Sequence, residues 1–312
     1  MSLCLVTGGA GFIGSHLVRG LLQRGRAVRV LDDFSTGHRK NIAELEGRIE
    51  LVEGDICDAA AVARAMHGVE TVFHLAARAS VPRSVQYPRQ AHDVNITGTF
   101  NVLLAARDAG ARRVVYSASS SAYGDTPALP KREDMIPRPQ SPYAVSKLTG
   151  EHYAAVFARV YGLKTCSLRY FNVFGPRQDP SSAYAAVIPA FVSRMLRGER
   201  PVVFGDGEQS RDFCFVDNVV HANLLAAEAP DVNGEVVNVA CGERTTLNQI
   251  LKQLNELLGT NIQAEYNDPR PGDVKHSLAD LEAAKRVIGY TPQVFFSDGL
   301  RRAISWYREN LK

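Results

Sequence analysis

Apolar positions in the first half of the chain fall into two kinds of run. Short continuous runs at 3–6, 27–31, 49–52, 71–75, 113–116 and 164–168 read as strands buried on both faces. Longer stretches at 13–23, 95–109 and 143–161 carry the helical period. Strand and helix alternate, which predicts a doubly wound α/β fold: a parallel sheet with helices on both faces. Five prolines between Pro127 and Pro142 mark an irregular connection before the 143–161 helix. After about residue 170 the pattern loosens into loops rich in Pro, Gly and Asp. Helices are predicted there near 184–197, 217–229, 246–258 and 297–310. The division expected is 1–170 for the sheet-bearing unit and 171–312 for a smaller α/β lobe over the carboxyl ends of the strands. The boundary is soft, and a segment of about 212–240 is a candidate for returning to the first unit.

Length and composition narrow the classes. A chain of 312 residues, 45% apolar and 22% charged, is an ordinary globular chain with room for a large core. Its net charge of +3 has no block structure, which argues against a dedicated nucleic-acid surface. Five scattered cysteines without a C-x-x-C suit a reducing compartment rather than a disulfide framework or zinc site. No apolar run approaches the ~18–20 residues of a membrane span. The chain enters a strand at once, so no signal peptide and a cytoplasmic location are expected. No His/Cys/Asp cluster has metal-ligand spacing, and His74 reads as packed rather than ligating.

Thr7-Gly-Gly-Ala-Gly-Phe-Ile-Gly14 joins the first strand to the first helix. Gly8, Gly11 and Gly14 suit a tight turn, close approach of a pyrophosphate, and close helix–strand packing, so this loop predicts a dinucleotide site at a helix N-terminus. Asp32 ends the second strand and is placed to accept from the adenine ribose. A carboxylate there disfavours a 2′-phosphate, so NAD is expected over NADP, with Asp33 able to share the role. Gly54-Asp55-Ile56 reads equally as an adenine contact or as a turn.

Tyr143 and Lys147 lie four residues apart in Ser141-Pro-Tyr-Ala-Val-Ser-Lys147, on one helical face. A phenol beside an ammonium suggests a general base whose pKa the positive charge lowers.

These motifs resemble, in order and over nearly the whole chain, the extended short-chain dehydrogenase/reductases, in particular the NAD-dependent nucleotide-sugar epimerases. The likeness extends to His74-Leu-Ala-Ala77, Asn95-Ile-Thr-Gly-Thr99, Ser117-Ala-Ser-Ser-Ser-Ala-Tyr-Gly124, Leu168-Arg-Tyr-Phe-Asn172, Ser210-Arg-Asp-Phe213 and Arg270-Pro-Gly-Asp273. The resemblance implies oxidation at the sugar C4, rotation of the keto sugar, and re-reduction on its other face. It implies Tyr143 as base, Lys147 on the nicotinamide ribose, and Ser119, shared with Ser120, as proton relay. Phe12, Ile13, Leu75, Ala76, Ala77, Asn95 and Tyr170 are implied around the NAD. Asn172, Val187, Phe204, Arg211, Arg270 and Asp273 are implied around a UDP group. A homodimer through the 95–109 and 143–161 helices is expected on the same basis.

The 4,6-dehydratases of this family carry an Asp-Glu pair where this chain has Ser120 and Ser121, so epimerisation is expected. Ser277 matches a gatekeeper beside the sugar 2-substituent, where glucose-type epimerases tend to carry tyrosine. Ala79 and Ser80 also depart from the glucose-type pattern, and the run from Arg177 to Pro189 is similar to that of UDP-N-acetylglucosamine 4-epimerases. The expectation is UDP-GlcNAc/UDP-GalNAc interconversion, with UDP-glucose and UDP-galactose open as weaker substrates. UDP-glucuronate is the nearest rival, and dehydratase, decarboxylase or a catalytically dead NAD sensor stand behind it.

Overall fold

The computed structural model describes residues 2–180, 186–269 and 275–310. Seven strands form one parallel sheet: β1 (Leu3–Thr7), β2 (Ala27–Asp32), β3 (Glu50–Glu53), β4 (Thr71–His74), β5 (Arg113–Ser119), β6 (Lys164–Tyr170) and β7 (Glu235–Val239). Their order is β7-β6-β5-β4-β1-β2-β3, so the chain reverses direction across the sheet between β1 and β4. That reversal opens a crevice at the carboxyl ends of the strands, where ligands of such sheets bind.

Why the strands read as continuous apolar runs is visible in the cores. Successive side chains point to opposite faces. Leu5, Leu31, Val72 and Val114 enter one apolar cluster, while Val6, Val30, Phe73 and Val115 enter the other. The first cluster is closed by α2 (Ala59–Met66), α3 (Thr99–Asp108) and α4 (Pro142–Tyr161); the second by α1 (Phe12–Gln23) and α6 (Val216–Glu228). A third core, built on Phe174, Phe213, Phe215 and Phe296, packs α5 (Val187–Leu196), α7 (Leu247–Leu258) and α8 (Phe296–Asn310) into the smaller lobe.

Two features differ from the sequence reading. The helix expected over 95–109 starts as a π-helical stretch, Asp93–Gly98, before α3. The wide turn accommodates Asn95, whose side chain turns inward to bond Arg78 and Ser146. The helix α2 was not anticipated; β7, in the loosely patterned half, falls within the 212–240 segment expected as a candidate for return and pairs with β6 in the sheet.

The catalytic-looking helix α4 is set by local chemistry. Ser141 caps it by accepting from Ala144 N at 3.1 Å, Pro142 opens it, and Gly162 ends it at φ 71°. Gly150 lets it approach the sheet: a Cβ there would lie 2.2 Å from the Tyr116 hydroxyl oxygen.

Candidate active site

The glycine loop lies at the sheet's crevice. Gly8 adopts φ 71°, and a Cβ on it would meet Ala76 N at 2.7 Å; a Cβ on Gly14 would lie 2.1 Å from Gly8 O. Only glycine fits these two positions. No side chain caps the start of α1, and Gly11, Phe12, Ile13 and Gly14 line a cleft of about 700 Å³. An uncapped helix start facing a cleft suits a pyrophosphate. Asp32 is buried at the end of β2, its carboxylate accepting from Ala10 N at 2.8 Å and Phe34 N at 2.9 Å. Burial raises its pKa against those two bonds. Each oxygen keeps a lone pair for a ribose hydroxyl. A small pocket beside it is walled by Asp33, Asp55, Ile56, Ala76 and Ala77. Asp55 closes its own turn, accepting from Cys57 N at 2.8 Å. Leu75, Ala77 and Tyr170 line the main cleft. These residues fit NAD.

Tyr143, Lys147, Ser119 and Ser120 line the same cleft. Ser119 ends β5, and its hydroxyl lies near enough to the Tyr143 phenol to oppose the rise in the phenol's pKa. Ser121 donates to Ser119 Oγ from its hydroxyl at 2.9 Å and its amide at 3.2 Å. With both acceptor positions taken, the Ser119 proton is left for an acceptor in the cleft. Ser120 faces the cleft without joining this chain of bonds. Lys147 Nζ donates to Ser117 O at 2.5 Å, and burial pushes it down to about 7, with Glu151 pulling it back. The Tyr143 phenol is raised by burial, with only the Ser119 bond opposing. This corrects the expectation of a phenol lowered by Lys147: the ammonium is engaged at Ser117, and desolvation wins.

The smaller lobe brings Asn172, Arg211 and Ser277 to the far end of the cleft. Asn172 has φ 27°, in the left-handed region that asparagine tolerates. Its Nδ2 donates to Ser277 Oγ at 3.2 Å and to Asp212 O at 3.1 Å. Asn172 and Arg211 also border a second cavity of about 630 Å³, walled by Val187 and Phe204. Arg270 and Asp273 lie outside the described residues, as do positions 181–185 of the Arg177–Pro189 run. Asp212 was missed. Its fully buried carboxylate accepts from Cys241 N, Gly242 N and Ala279 N at 2.9–3.1 Å, tying three segments behind Ser277. Its place inside Ser210-Arg-Asp-Phe213 was the available signal.

Two expected contacts are displaced. Ser80 is not in the cleft wall; it caps the Val81–Gln86 helix by accepting from Arg83 N, while its neighbour Ala79 does line the cleft. Asn95 is 1% exposed and faces no cavity. Its amide is spent on Arg78 N at 2.7 Å, Arg78 O at 3.3 Å and Ser146 Oγ at 3.0 Å, so it positions the site from behind. His74 is packed, as expected. Thr99 Oγ1 donates to Asn95 O, so His74 Nε2 donates to Thr99 and Nδ1 accepts from Thr7 Oγ1 at 2.7 Å. Among the described residues no helix is long and apolar enough to cross a membrane, and no metal-binding group forms.

Residues 4–240 match the NAD dependent epimerase/dehydratase family. A UDP-glucose 4-epimerase from Mycolicibacterium smegmatis is 40% identical over 308 residues, 97% of this chain and 98% of that protein. The UDP-N-acetylglucosamine 4-epimerase of Methanobrevibacter ruminantium, solved in complex with UDP-N-acetylmuramic acid, is 40% identical, with TM-score 0.95 over 99% of both chains. A UDP-glucose 4-epimerase from Thermotoga maritima, solved with UDP-glucose, is 43% identical, with TM-score 0.94 over 99% of this chain and 100% of that one. The glycine cradle, the meeting of Tyr143 and Ser119 in one cleft and these end-to-end likenesses agree: the chain belongs to the NAD dependent epimerase/dehydratase family.

Proposed function

We propose that the protein is an NAD-dependent UDP-sugar 4-epimerase whose preferred sugar carries a 2-acetamido group, interconverting UDP-GlcNAc and UDP-GalNAc. When bound, NAD supplies the hydride acceptor for C4 and, oxidised, a positive charge near the phenol. Tyr143 takes the proton from the 4-hydroxyl, and Ser119, whose own proton is free to donate, steadies the charge that forms. Lys147 holds the nicotinamide ribose. Asn172 and Arg211 face the diphosphate, and Val187 and Phe204 wall the uridine. With the 4-keto sugar turned about its diphosphate linkage, the hydride it gave up would come back to its other face from the reduced cofactor as Tyr143 returns the proton to oxygen, so C4 inverts.

No Asp or Glu is among the described residues lining the cleft. That supports inversion over elimination, which needs an acid and base where Ser120 and Ser121 stand. The observation carrying the acetamido reading is Ser277. It lines the cleft, and its oxygen already accepts from Asn172 Nδ2, so its own proton is free for an acetyl carbonyl. UDP-glucuronate is the second reading. It is favoured by Lys131, a buried lysine in the cleft wall whose ammonium bonds only Thr126 among the described residues.

The test is incubation of the purified protein, without added cofactor, with UDP-GlcNAc, UDP-glucose or UDP-glucuronate, followed by analysis of the sugars. UDP-GlcNAc is expected to turn over fastest. A stable 4-keto-6-deoxy product would overturn the epimerase reading; fastest turnover of UDP-glucuronate would transfer it to the second. Ser277→Tyr is expected to lower UDP-GlcNAc turnover by about 100-fold and UDP-glucose turnover far less, because the new ring occupies the acetamido space. Equal losses would remove Ser277 from the specificity argument.

A further inference from the structure

Arg78 has no role in the chemistry above, yet it occupies the rim of the adenosine pocket. That pocket has two lips. One is the turn after β2, with Asp33, Phe34 at φ 54°, and Ser35; the other is the segment after β4, ending in Ala76, Ala77 and Arg78. The Arg78 guanidinium reaches from the second lip to the first. Its Nη1 donates to Ser35 Oγ, and its Nη2 to Asp33 Oδ2 at 3.4 Å. Asp33 Oδ1 in turn accepts from Ser35 N at 3.0 Å and Ser35 Oγ at 2.5 Å, so the far anchor is itself braced.

The near anchor is firmer. Both backbone polar groups of Arg78 are held by the Asn95 side chain, and Asn95 is held by Ser146 on α4. Arg78 Nε is buried without a hydrogen-bond partner in the described structure. A buried donor left unpaired is costly and calls for an acceptor. With the guanidinium in this position, the pocket holds about 40 Å³. That is room for about three waters, at ~10–15 Å³ each, and less than a nucleoside needs.

We infer that Arg78 is a cofactor-retaining residue: a clasp between the lips that must open to admit or release the adenosine half of NAD, and whose unpaired Nε–H serves an acceptor on it. The inference rests on NAD binding alone and is independent of which sugar is used. A planar fork fixed at its root is suited to this, where a lysine would offer only a point charge.

Exchange of bound NAD+ in the holoenzyme against carbon-14-labelled NAD+ measures the clasp without reference to sugar turnover. Arg78→Met is expected to exchange about tenfold faster, the worth of one charge-assisted hydrogen bond. Ser35→Ala, a change in an exposed turn that leaves the cores untouched, is expected to shift the rate in the same direction by less. Arg78→Lys should fall between wild type and Arg78→Met. The Arg78–Asp33 pair is partly exposed, so added salt is expected to quicken exchange in wild type and not in Arg78→Met. A structural disturbance alone would not remove the salt dependence. Exchange by Arg78→Met within twofold of wild type, or a salt response unchanged by that substitution, overturns the inference.

Discussion

At position 143 two influences oppose each other: burial raises the phenol, and the Ser119 hydrogen bond lowers it. Replacing Tyr143 with Phe removes the proton acceptor and leaves the glycine cradle intact. Epimerisation is expected to fall by about 10²–10⁴-fold, while the protein still purifies with NAD, read from its absorbance after denaturation. His74 offers a pH test. Burial lowers it to about 3, with Lys147 adding to the effect. Above about pH 6.5 the imidazole is neutral in both folded and unfolded chains, and its contribution to stability is whole. As pH falls from there toward 3, only the unfolded chain takes up the proton, so stability is lost, by on the order of 5 kcal/mol at the acid end. Melting temperature is expected to drop more steeply with acid in wild type than in His74→Gln. Parallel curves would show that His74 is not the group responsible. The Tyr143–Lys147 spacing was legible because it is local, while Ser119 was reached only through the family resemblance. Asn95 was misplaced because a side chain's target can depend on contacts distant in sequence: it meets Ser146 51 positions away, whereas Ser80 turns to a local partner, Arg83 N, as a helix cap.

Elements add constraints that no single residue carries. Gly150 sits where α4 crosses β5, against a Tyr116 ring that is 2% exposed and has no room to retreat. Gly150→Ala is expected to lift the helix, costing about 1–3 kcal/mol of stability. Because Tyr143 and Lys147 ride on that helix, turnover should fall even at temperatures where the variant is fully folded. Circular dichroism melts run beside rate measurements separate the two effects. The strands of the first half, the exposed edge strand β3 apart, were readable because they are buried on both faces, which leaves an unbroken apolar run. The β7 sequence Glu235-Val-Val-Asn-Val239 is interrupted by Asn238, whose amide is spent on Tyr123, Lys131 and Asp280. A buried polar network reads, in sequence, like a loop. The π-helical start of α3 has no compositional signature either; it follows from where Asn95 has to point.

For the whole molecule, the outer face of α4 exposes Val145, Val156, Val160 and Tyr161, with Phe100 beside them on α3. Isolated apolar residues are common on surfaces, but a stripe along one helix is a candidate for covering by a second copy. We expect a homodimer in sedimentation, and a monomer after Val156→Glu combined with Val160→Glu; a monomeric wild type would show that the stripe is solvated.

The place of β7 has a further consequence. Although 64 residues, with the helices α5 and α6 among them, separate it from β6, it is the strand that covers β6's outer edge. A shortened chain ending at Tyr170 would keep the glycine loop and the Tyr143 helix, yet its sheet would finish in a bare strand reading Thr165-Cys-Ser-Leu168, with unpaired backbone groups turned to solvent. Such an edge recruits other chains. The piece that holds the cofactor residues is therefore expected to precipitate when expressed alone, and to become soluble only when a segment through Val239 is supplied. The second half of the chain thus supplies a strand to the sheet of the first, so the two halves are not interchangeable modules.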